Sequence, residues 1–400
     1  MKEMYHEDPY LLQFNSNVTG IISEKGRVGV LTENTVFYPE GGGQPADRGT
    51  LVCARRTYEV VQVEQRPEGI VHWIAGLAGP SKGTRLLMTV DAERRRDHMQ
   101  QHHGQHILSA VLEQQYGWET IGFHLGEETN SIDLTVRELP LESMQQAEAE
   151  ANRIVLENLP VQSEFYSREQ LPPELLRKLP PNQEEVRLVV IPGVDENACC
   201  GTHPRFTGEA GPIKLLKTES VRGHTRLYFI CGLRTVHWMW QTARSLKELE
   251  ETVGAVGTEA VTRLQKREAE FKKLQKEHKE LLPFKYQAMA QGLKEKSFSI
   301  QGTSFLVELF PQADMDFLRG LAAAWCREPK RTALLAGGDG PYAVVFGCSP
   351  EGVLAADQLA EFLWPLLQGQ GGGNAGMVQG RAREWPQEKI INQMKQHFSP

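Results

Sequence analysis

Two pairs of residues with metal-ligand chemistry lie far apart in the chain. His102 and His106 are separated by four positions in a segment with a helical pattern, and this spacing puts both imidazoles on one face of a helix. Cys199 and His203 have the same spacing within the segment Cys-Cys-Gly-Thr-His. Three imidazoles and one thiolate form a donor set that tetrahedral zinc commonly takes in proteins. The sequence therefore predicts a zinc site made of these four residues.

The second pair leaves two questions open. Cys200 adjoins Cys199, but only Cys199 stands four residues before His203, so we assign the ligand to Cys199 and keep Cys200 as the alternative. If all four residues bind zinc at once, the site is closed, and the metal orients neighbouring groups without activating a water molecule. If one ligand is loose, zinc can also activate water.

His103 lies between the two candidate ligands on the same predicted helix. It points to another part of the helix surface, so we expect it behind the ligands or in solvent. A zinc peptidase of the His-Glu-x-x-His type needs a glutamate at this position as its general base. The histidine found there argues against peptidase activity.

Two glycine runs are candidates for contact with a ligand. Gly41, Gly42 and Gly43 follow a predicted strand and precede Gln44, whose amide can both donate and accept. A plain hairpin turn needs only one or two glycines, so we expect this loop to bring its backbone close to a ligand. The run Gly371, Gly372 and Gly373 is either a flexible connection or a loop that meets phosphates, without the Lys-Ser/Thr ending of a P-loop.

The first part of the chain has a β pattern, and the next part mixes helices and strands. Residues 1–90 contain short runs of β-branched and aromatic residues between turns, at 28–31, 35–38, 58–63 and 69–74. They predict a small antiparallel barrel or sandwich. Asp91 is a predicted N-cap for a helix that carries the His pair as far as Glu113. A helix at 140–160 and strands at 186–191 and 226–231 complete an α+β domain over residues 91–238.

A long amphipathic helix is predicted in residues 239–284. Apolar residues recur at three- and four-residue steps from Leu246 to Leu281, and Pro283 is the predicted end. Such a stripe packs on its own domain or serves as an arm. As an arm, it folds back onto a second helical stretch near 284–294 or forms a homodimer, and we favour the dimer. A C-terminal α/β domain follows at 285–400, with the second glycine run as a loop, so the fold class is α+β.

Composition sets limits on the kind of protein. A chain of 400 residues with 40% hydrophobic and 24% charged residues can form several domains with real cores. Six cysteines, two of them adjacent, do not suggest a disulfide framework in a chain of this length. The start of the chain lacks the apolar run of a signal peptide, and no stretch suits a membrane span. We therefore expect a cytoplasmic protein. A net charge of −7 argues against general coating of nucleic acid but allows a local basic face.

Four segments resemble a known family. Residues 37–44, 102–106, 199–203 and 371–373 occur in the order found in the editing half of alanyl-tRNA synthetases. Nearly the whole chain resembles alanyl-tRNA editing proteins of the long AlaX type. Two departures are Cys200, where the family loop often has glycine, and His103-Gly104 after the first histidine.

The resemblance implies a zinc-dependent hydrolase that deacylates tRNA(Ala) mischarged with serine, or with glycine. It makes 91–238 the editing domain, and it implies that the C-terminal domain contributes to tRNA contact and self-association. An aminoacyl ester is reactive, so its hydrolysis needs a positioned water and stabilisation of the oxyanion. An editing pocket that hydrogen-bonds the serine hydroxyl can select strongly for it. Gln44 and Thr35 are the candidates for that pocket.

Two other functions fit the sequence less well than hydrolysis does. A full alanyl-tRNA synthetase needs an ATP-binding catalytic domain before the editing unit, and only about 90 residues precede Asp91, so aminoacylation is not expected. A tRNA-binding module in which zinc is structural has no need of a glycine-lined amide beside the metal. The candidate tRNA contacts are the glycines of both runs together with Arg94, Arg95 and Arg96; the alternative for the arginines is a solvated surface.

Overall fold

The computed structural model describes residues 2–24, 26–54, 56–171 and 185–398. Contacts between residues divide the chain into two units, Met1–Glu248 and Leu249–Pro400, each with buried apolar clusters of its own. The architecture is mixed α+β, as predicted.

The first unit contains fifteen strands among its described residues. They are β1 (Lys2–Glu3), β2 (Gln13–Glu24), β3 (Arg27–Thr32), β4 (Asn34–Thr35), β5 (Gly49–Cys53), β6 (Arg56–Arg66), β7 (Gly69–Ile74), β8 (Arg85–Val90), β9 (Thr120–Leu125), β10 (Asn130–Leu134), β11 (Gln162–Ser167), β12 (Glu185–Ile191), β13 (Asp195–Ala198), β14 (Ile213–Val221) and β15 (His224–Cys231). The helices of its described part before β15 are α1 (Met4–Glu7), α2 (Ala92–Tyr116) and α3 (Leu141–Glu157), with 3-10 turns at Arg168–Gln170 and Thr207–Ala210. Helix α4 (Gly232–Val253) follows β15.

Six of these strands close into a barrel in the order β2-β3-β7-β6-β5-β8. Strand β8 shows why the sequence forms it: Leu86, Met88 and Val90 alternate with more exposed residues, and all three are buried. Trp73 and Phe37 are also fully buried in this part of the chain. The predicted small β-barrel is confirmed.

One predicted strand is much shorter than expected. Of residues 35–38 only Thr35 belongs to a strand, although Val36, Phe37 and Tyr38 are all buried. Side chains replace the missing strand partner. The Asp47 carboxylate accepts from the Tyr38 N–H, and Thr35 Oγ1 accepts from the Phe37 N–H. The Val36 carbonyl oxygen accepts from the Arg95 guanidinium. A buried backbone needs partners, and here they come from side chains rather than from a neighbouring strand.

Helix α2 carries the predicted histidine pair and begins where the sequence indicates. The Asp91 side chain accepts from the backbone N–H groups of Glu93 and Arg94, which caps the first turn. Gly117, in the left-handed region, ends the helix. Helix α2 packs with α3 and with a sheet of order β14-β15-β10-β9 around a common apolar core. A second sheet, β11-β12-β13, leads into the segment that carries the cysteine pair.

The prediction of a single long helix that ends at Pro283 is wrong. The chain forms α4, which ends at Val253, and α5 (Thr258–Gly292). Gly254 and Gly257 separate them with φ of 71° and 57°, values that a continuing helix cannot have. Helix α5 passes through Pro283 without ending, so residues 284–294 do not form a second stretch for the arm to fold back on.

Packing explains why Pro283 does not end the helix. Tyr286 and Met289 pack into a core formed with helix α6 (Met315–Trp325), and Ala290 is buried there. A Cβ on Gly320 of α6 would lie 2.1 Å from the Tyr286 ring, so the two helices are in close contact. This burial outweighs the hydrogen bond that proline cannot make.

The second unit also contains a six-stranded sheet. Its strands are β16 (Phe298–Ile300), β17 (Thr303–Phe310), β18 (Arg331–Gly337), β19 (Tyr342–Cys348), β20 (Gly369–Gly373) and β21 (Met377–Ala382), in the order β16-β17-β18-β19-β21-β20. Helices α6, α7 (Ala356–Leu367) and α8 (Gln387–Phe398) complete the unit, with a 3-10 turn at Lys294–Lys296.

The glycine run of the C-terminal region is a strand and not a loop, which corrects the prediction. Gly371 and Gly373 pair with β21, and a Cβ on Gly371 would lie 2.2 Å from the Gln379 carbonyl oxygen. The strands therefore approach closely because side chains are absent. The turn lies at 374–376, where the Asn374 side chain accepts from the N–H groups of Gly376 and Met377.

Among the described residues, no helix combines the length and the apolar character needed to cross a lipid bilayer.

Candidate metal centre

The four predicted ligands meet in space. Ligand atoms of His102, His106, Cys199 and His203 all lie within 4.8 Å of one another. Helix α2 supplies the first two, and the segment after β13 supplies the others. Cys199 Sγ lies 3.5 Å from His102 Nε2 and 3.2 Å from His203 Nε2. The three imidazoles are buried, so their ring nitrogens converge in a protected place.

Two of these imidazoles are held from behind by polar side chains. His102 Nδ1 lies 2.9 Å from Gln44 Oε1, and His106 Nδ1 lies 2.7 Å from Asp195 Oδ2. When Nδ1 donates to these acceptors, Nε2 is left with its lone pair for a metal ion. The sequence reasoning missed Asp195, whose available signal was its position four residues before Cys199.

The third imidazole has a histidine as its outer partner. His103 Nδ1 lies 3.3 Å from His203 Nδ1, and His103 is fully buried. One ring donates and the other accepts, so the contact selects a tautomer of each. This agrees with the prediction that His103 lies behind the ligands.

The structure favours Cys199 over Cys200 as the sulfur ligand. Burial raises the pKa of the Cys199 thiol, but the neighbouring His102 and His203 lower it overall to well below its usual range. This favours the thiolate, which is the form that binds metals. Cys200 is exposed and lies outside the cluster, while its carbonyl oxygen lies 2.8 Å from His6 Nε2.

The loop between the cysteine and the last histidine is held in place by a buried arginine. Arg187 on β12 donates from Nη1 to the carbonyl oxygens of Cys199 (3.1 Å) and Gly201 (2.8 Å). Gly201 packs so closely that a Cβ there would lie 2.1 Å from His102 Cε1. Neither Arg187 nor the closeness of Gly201 to the centre was foreseen, because both depend on contacts between distant segments.

Gln44 belongs to the centre, but its side-chain amide is hydrogen-bonded to other protein groups. Its Oε1 accepts from the Thr202 N–H (3.0 Å) and lies beside His102, and its Nε2 donates to Thr202 Oγ1 (2.9 Å). The amide is fully buried. Gln44 therefore links the glycine loop to a candidate ligand and to the Cys199–His203 segment, with Thr202 as a further residue that the sequence reasoning missed.

Thr35 is placed elsewhere. Its side chain is fully buried, and its Oγ1 lies 2.7 Å from His72 Nε2 on strand β7. The other contact of this oxygen is the Phe37 N–H. The structure brings Gln44 to the candidate ligands but does not bring Thr35 into hydrogen-bond contact with any of them.

The first glycine loop reaches the centre through an aromatic residue as well. Gly42 and Gly43 have φ of 55° and 80°, and a Cβ on Gly43 would lie 2.6 Å from the Phe123 ring. That ring stacks on His102 with centroids 5.5 Å apart. The turn is closed by hydrogen bonds between the backbones of Gly41 and Gln44. The loop therefore lies close to the candidate ligands, while its contact with a bound ligand stays a prediction.

The three arginines at the start of α2 differ sharply in environment. Arg95 is 1% exposed and forms an ion pair with Asp47, with 2.5 Å between Nη2 and Oδ2. Because it is enclosed and paired, it is not available to a tRNA backbone, and that prediction is wrong. Arg94 is partly buried and donates to the Ala46 carbonyl. Arg96 alone of the three is exposed.

Taken together, the donor set fits a metal ion. One thiolate and three imidazoles converge, and each imidazole has its other nitrogen engaged by the protein. Burial lowers the pKa of His106, but Asp195 and Cys199 raise it overall to about 10. Protons and metal ions compete for these same atoms, so such a site binds metal by releasing protons.

Two family models and several known proteins match this chain. A family model for "tRNA synthetases class II (A)" matches residues 9–94, and one for "Threonyl and Alanyl tRNA synthetase second additional domain" matches residues 186–228. The alanine-tRNA ligase of Pyrococcus abyssi is 30% identical over 96% of this chain, which spans 42% of the ligase.

Two relatives of similar length show the family to which this chain belongs. The alanyl-tRNA editing protein Aarsd1-A of Xenopus laevis is 30% identical over 92% of this chain and 87% of its own. The alanyl-tRNA editing protein AlaX-L of Pyrococcus horikoshii is 30% identical over 97% of this chain and 96% of its own. The chain therefore belongs to the family of alanyl-tRNA editing proteins.

Proposed function

We propose that this enzyme hydrolyses the ester of tRNA(Ala) mischarged with serine, with Gly-tRNA(Ala) as a second substrate. The observation that carries the proposal is the buried cluster of His102, His106, Cys199 and His203. It occurs in a member of an editing family, and Gln44 links it to a glycine loop. Members of this family are named as editing proteins, and editing of a charged tRNA is a deacylation.

The metal in this proposal is zinc. A mixed set of one sulfur and three imidazole nitrogens suits zinc better than it suits magnesium or calcium, which prefer oxygen. When bound, zinc supplies a Lewis acid for water or for the ester carbonyl oxygen. Gln44, Asp195 and His103 keep the three imidazoles oriented toward it.

Recognition of the amino acid depends on polar groups beside the metal centre. Serine differs from alanine by one hydroxyl, and a site that hydrogen-bonds this group rejects substrates that lack it. The Gln44 amide and the Thr202 hydroxyl lie together beside His102. In our proposal Gln44 acts mainly by positioning His102 and the Thr202 hydroxyl, and Thr35 supports the barrel behind the loop.

Contact with the tRNA is proposed at two places. Arg96 offers an exposed cation on the first unit, and Gly371–Gly373 offers an exposed glycine-rich strand on the second. In the proposal the editing domain comprises residues 91–238 and works in the cytoplasm, where aminoacylated tRNA is used.

Self-association is also part of the proposal. Large apolar side chains on α5 are exposed, among them Phe271 (60%), Leu274 (61%) and Leu281 (63%). An apolar stripe of this kind lowers solubility unless it is covered. We propose a homodimer through α5 and the C-terminal unit. A monomeric mass by light scattering at high concentration would exclude it.

The decisive experiment is the release of labelled serine from Ser-tRNA(Ala), with Ala-tRNA(Ala) as the matched control. We expect release of serine but not of alanine, loss of release after chelation, and recovery on adding zinc. A protein that binds tRNA tightly but releases no serine would be a zinc-stabilised tRNA-binding module. Full activity without metal would remove zinc from the mechanism.

A further inference from the structure

A cleft in the first unit is lined by residues that lie close in sequence to His102 and His203, but by none of the four candidate ligands. It has a volume of about 420 Å³, which is within the range of about 300 to 1,000 Å³ typical of ligand sites. Its walls come from the segment before β2, the first turns of α2 and the segment after His203. Pro9, Leu12, Met99 and Pro204 give it an apolar lining.

The polar groups of the cleft leave one cation available. Arg96 lines the cleft, is exposed, and forms no ion pair within the described part of the chain. Arg95 also lines it, but its charge is balanced by Asp47. Glu209 accepts hydrogen bonds from the Tyr10 hydroxyl (2.7 Å) and the Arg205 N–H (3.2 Å), so the protein already engages this carboxylate.

An aromatic ring borders the same cleft. Tyr10 is 37% exposed, and the guanidinium of Arg205 lies over its ring at 4.9 Å from the centroid. Hydrogen bonds from the hydroxyl to Glu209 and from the Arg205 N–H to the hydroxyl oxygen fix the position of the ring. A ring held in this way loses little conformational freedom when a flat ligand stacks on it.

The cleft lies close to the candidate ligands along the chain. Pro204 directly follows His203, and Met99 precedes His102 by three residues in α2, a rise of about 4.5 Å. A strand whose terminal ribose carries the ester at the metal centre can therefore place a neighbouring nucleotide here.

We propose that this cleft binds an unpaired nucleotide of the RNA strand that carries the aminoacyl ester. The base packs against Tyr10 and the apolar lining, and Arg96 pairs with a backbone phosphate. Flat bases with apolar faces, joined by phosphates, match a site that combines an aromatic ring, apolar walls and one free arginine. This inference rests on the proposed function, because it takes the RNA to be the substrate.

The test compares two uncharged tRNA(Ala) transcripts, one complete and one lacking the unpaired nucleotides at its 3′ end. Wild-type protein should bind the complete transcript more tightly. Tyr10→Ala should reduce this advantage by about 5- to 100-fold, the range for loss of one stacked base. Arg96→Ala should lower the salt dependence of binding by about 0.7 in log–log slope, the value for one phosphate contact on a single strand.

Three further variants guard against trivial effects. Arg85→Ala removes another exposed arginine, at the far end of β8, and should leave the advantage of the complete transcript unchanged. Tyr10→Phe keeps the ring and should retain most of the advantage, while Arg96→Glu should weaken binding further than Arg96→Ala. If Tyr10→Ala does not fold, the two Arg96 variants and Tyr10→Phe still test the site.

The outcomes separate this inference from the proposed function. If the protein releases serine but the Tyr10 and Arg96 variants bind both transcripts as Arg85→Ala does, the cleft is not a nucleotide site. If it releases no serine yet prefers the complete transcript through Tyr10 and Arg96, the cleft assignment stands and the deacylase proposal fails.

Discussion

Gly201 lies directly against the imidazole of His102. A Cβ at Gly201 would lie 2.1 Å from Cε1 and 2.3 Å from Nδ1 of that ring, and 2.9 Å from Gln44 Oε1. One backbone position thus touches a candidate ligand and the side chain that orients it. A methyl group cannot fit there unless the ring or the amide moves.

We expect Gly201→Ala to reduce bound zinc and serine release together, because the new methyl group forces His102 and the 199–203 segment apart. The measurement is zinc per chain by elemental analysis after a chelator wash, with circular dichroism to monitor folding. Gly292→Ala is the control, since a Cβ there meets nothing within 4 Å. Full zinc occupancy in Gly201→Ala would show that the segment is looser than its contacts indicate.

The two adjacent cysteines should differ in their effect on metal binding. Cys199→Ser should lower zinc affinity strongly, since Cys199 Sγ lies within the cluster and a hydroxyl is a poor substitute for a thiolate. Cys200→Ser should leave affinity nearly unchanged, because Cys200 is exposed. Competition with a chromogenic chelator measures both. The reverse ranking would move the ligand to Cys200.

Asp195 should support metal binding without touching the ion. Its carboxylate lies 2.7 Å from His106 Nδ1, and loss of such an outer partner typically costs about 10- to 100-fold in metal affinity. Asp195→Asn should show a loss of this size. Its neighbour Glu196 is exposed, so Glu196→Gln is a matched control. An unchanged zinc affinity in Asp195→Asn would argue that His106 does not bind the metal.

Gln44→Ala should slow the hydrolysis of Ser-tRNA(Ala) by about 10- to 1000-fold. The structure gives the reason: the amide joins His102 to Thr202. Single-turnover kinetics with saturating zinc measures the effect, and Gln65→Ala, an exposed barrel residue, serves as the control. Unchanged kinetics in a folded Gln44→Ala protein would restrict the glycine loop to a structural role.

The barrel should lose stability in mild acid through His72. Burial lowers the pKa of His72 to about 4, from 6.5 in an unfolded chain, so between these values the unfolded chain binds more protons. The contribution of this residue is present above pH 6.5 and is lost as the pH falls toward 4. Between pH 7 and pH 5 the loss amounts to about 2 kcal/mol.

Urea unfolding at the two pH values measures this effect. The destabilisation caused by His72→Asn, relative to the wild type, should shrink by the same amount at pH 5, because the variant has no imidazole to protonate. A destabilisation that is independent of pH would mean that the ring is protonated in the native barrel.

The sequence by itself determined the donor set and most of the elements that carry it. Spacing of four residues placed both histidines on one face of α2, and Asp91 marked where that helix begins. The helix runs past the predicted end at Glu113 to Tyr116. Runs of β-branched and aromatic residues between turns predicted a barrel or sandwich, because such residues fit the half-buried surface of a sheet. These are local features, and local physics decides them.

Only the tertiary structure decided which residues act together. Pro283 lies inside α5 because Tyr286 and Met289 pack on α6. The free energy of this packing cannot be predicted from the residues next to the proline. The glycine run at 371–373 is a strand because β21 lies beside it. Arg95 was predicted to contact RNA, but in the folded chain it is buried and paired with Asp47, which is far away in the sequence.

The roles of Asp195, Arg187 and Gly201 have the same origin. Each acts on a candidate ligand or on the loop that carries one, through a contact of a few ångströms. Ligand types can be recognised from spacing, since a metal demands particular atoms. The side chains that orient those atoms are chosen by the packing of distant segments, and this is why only the folded chain reveals them.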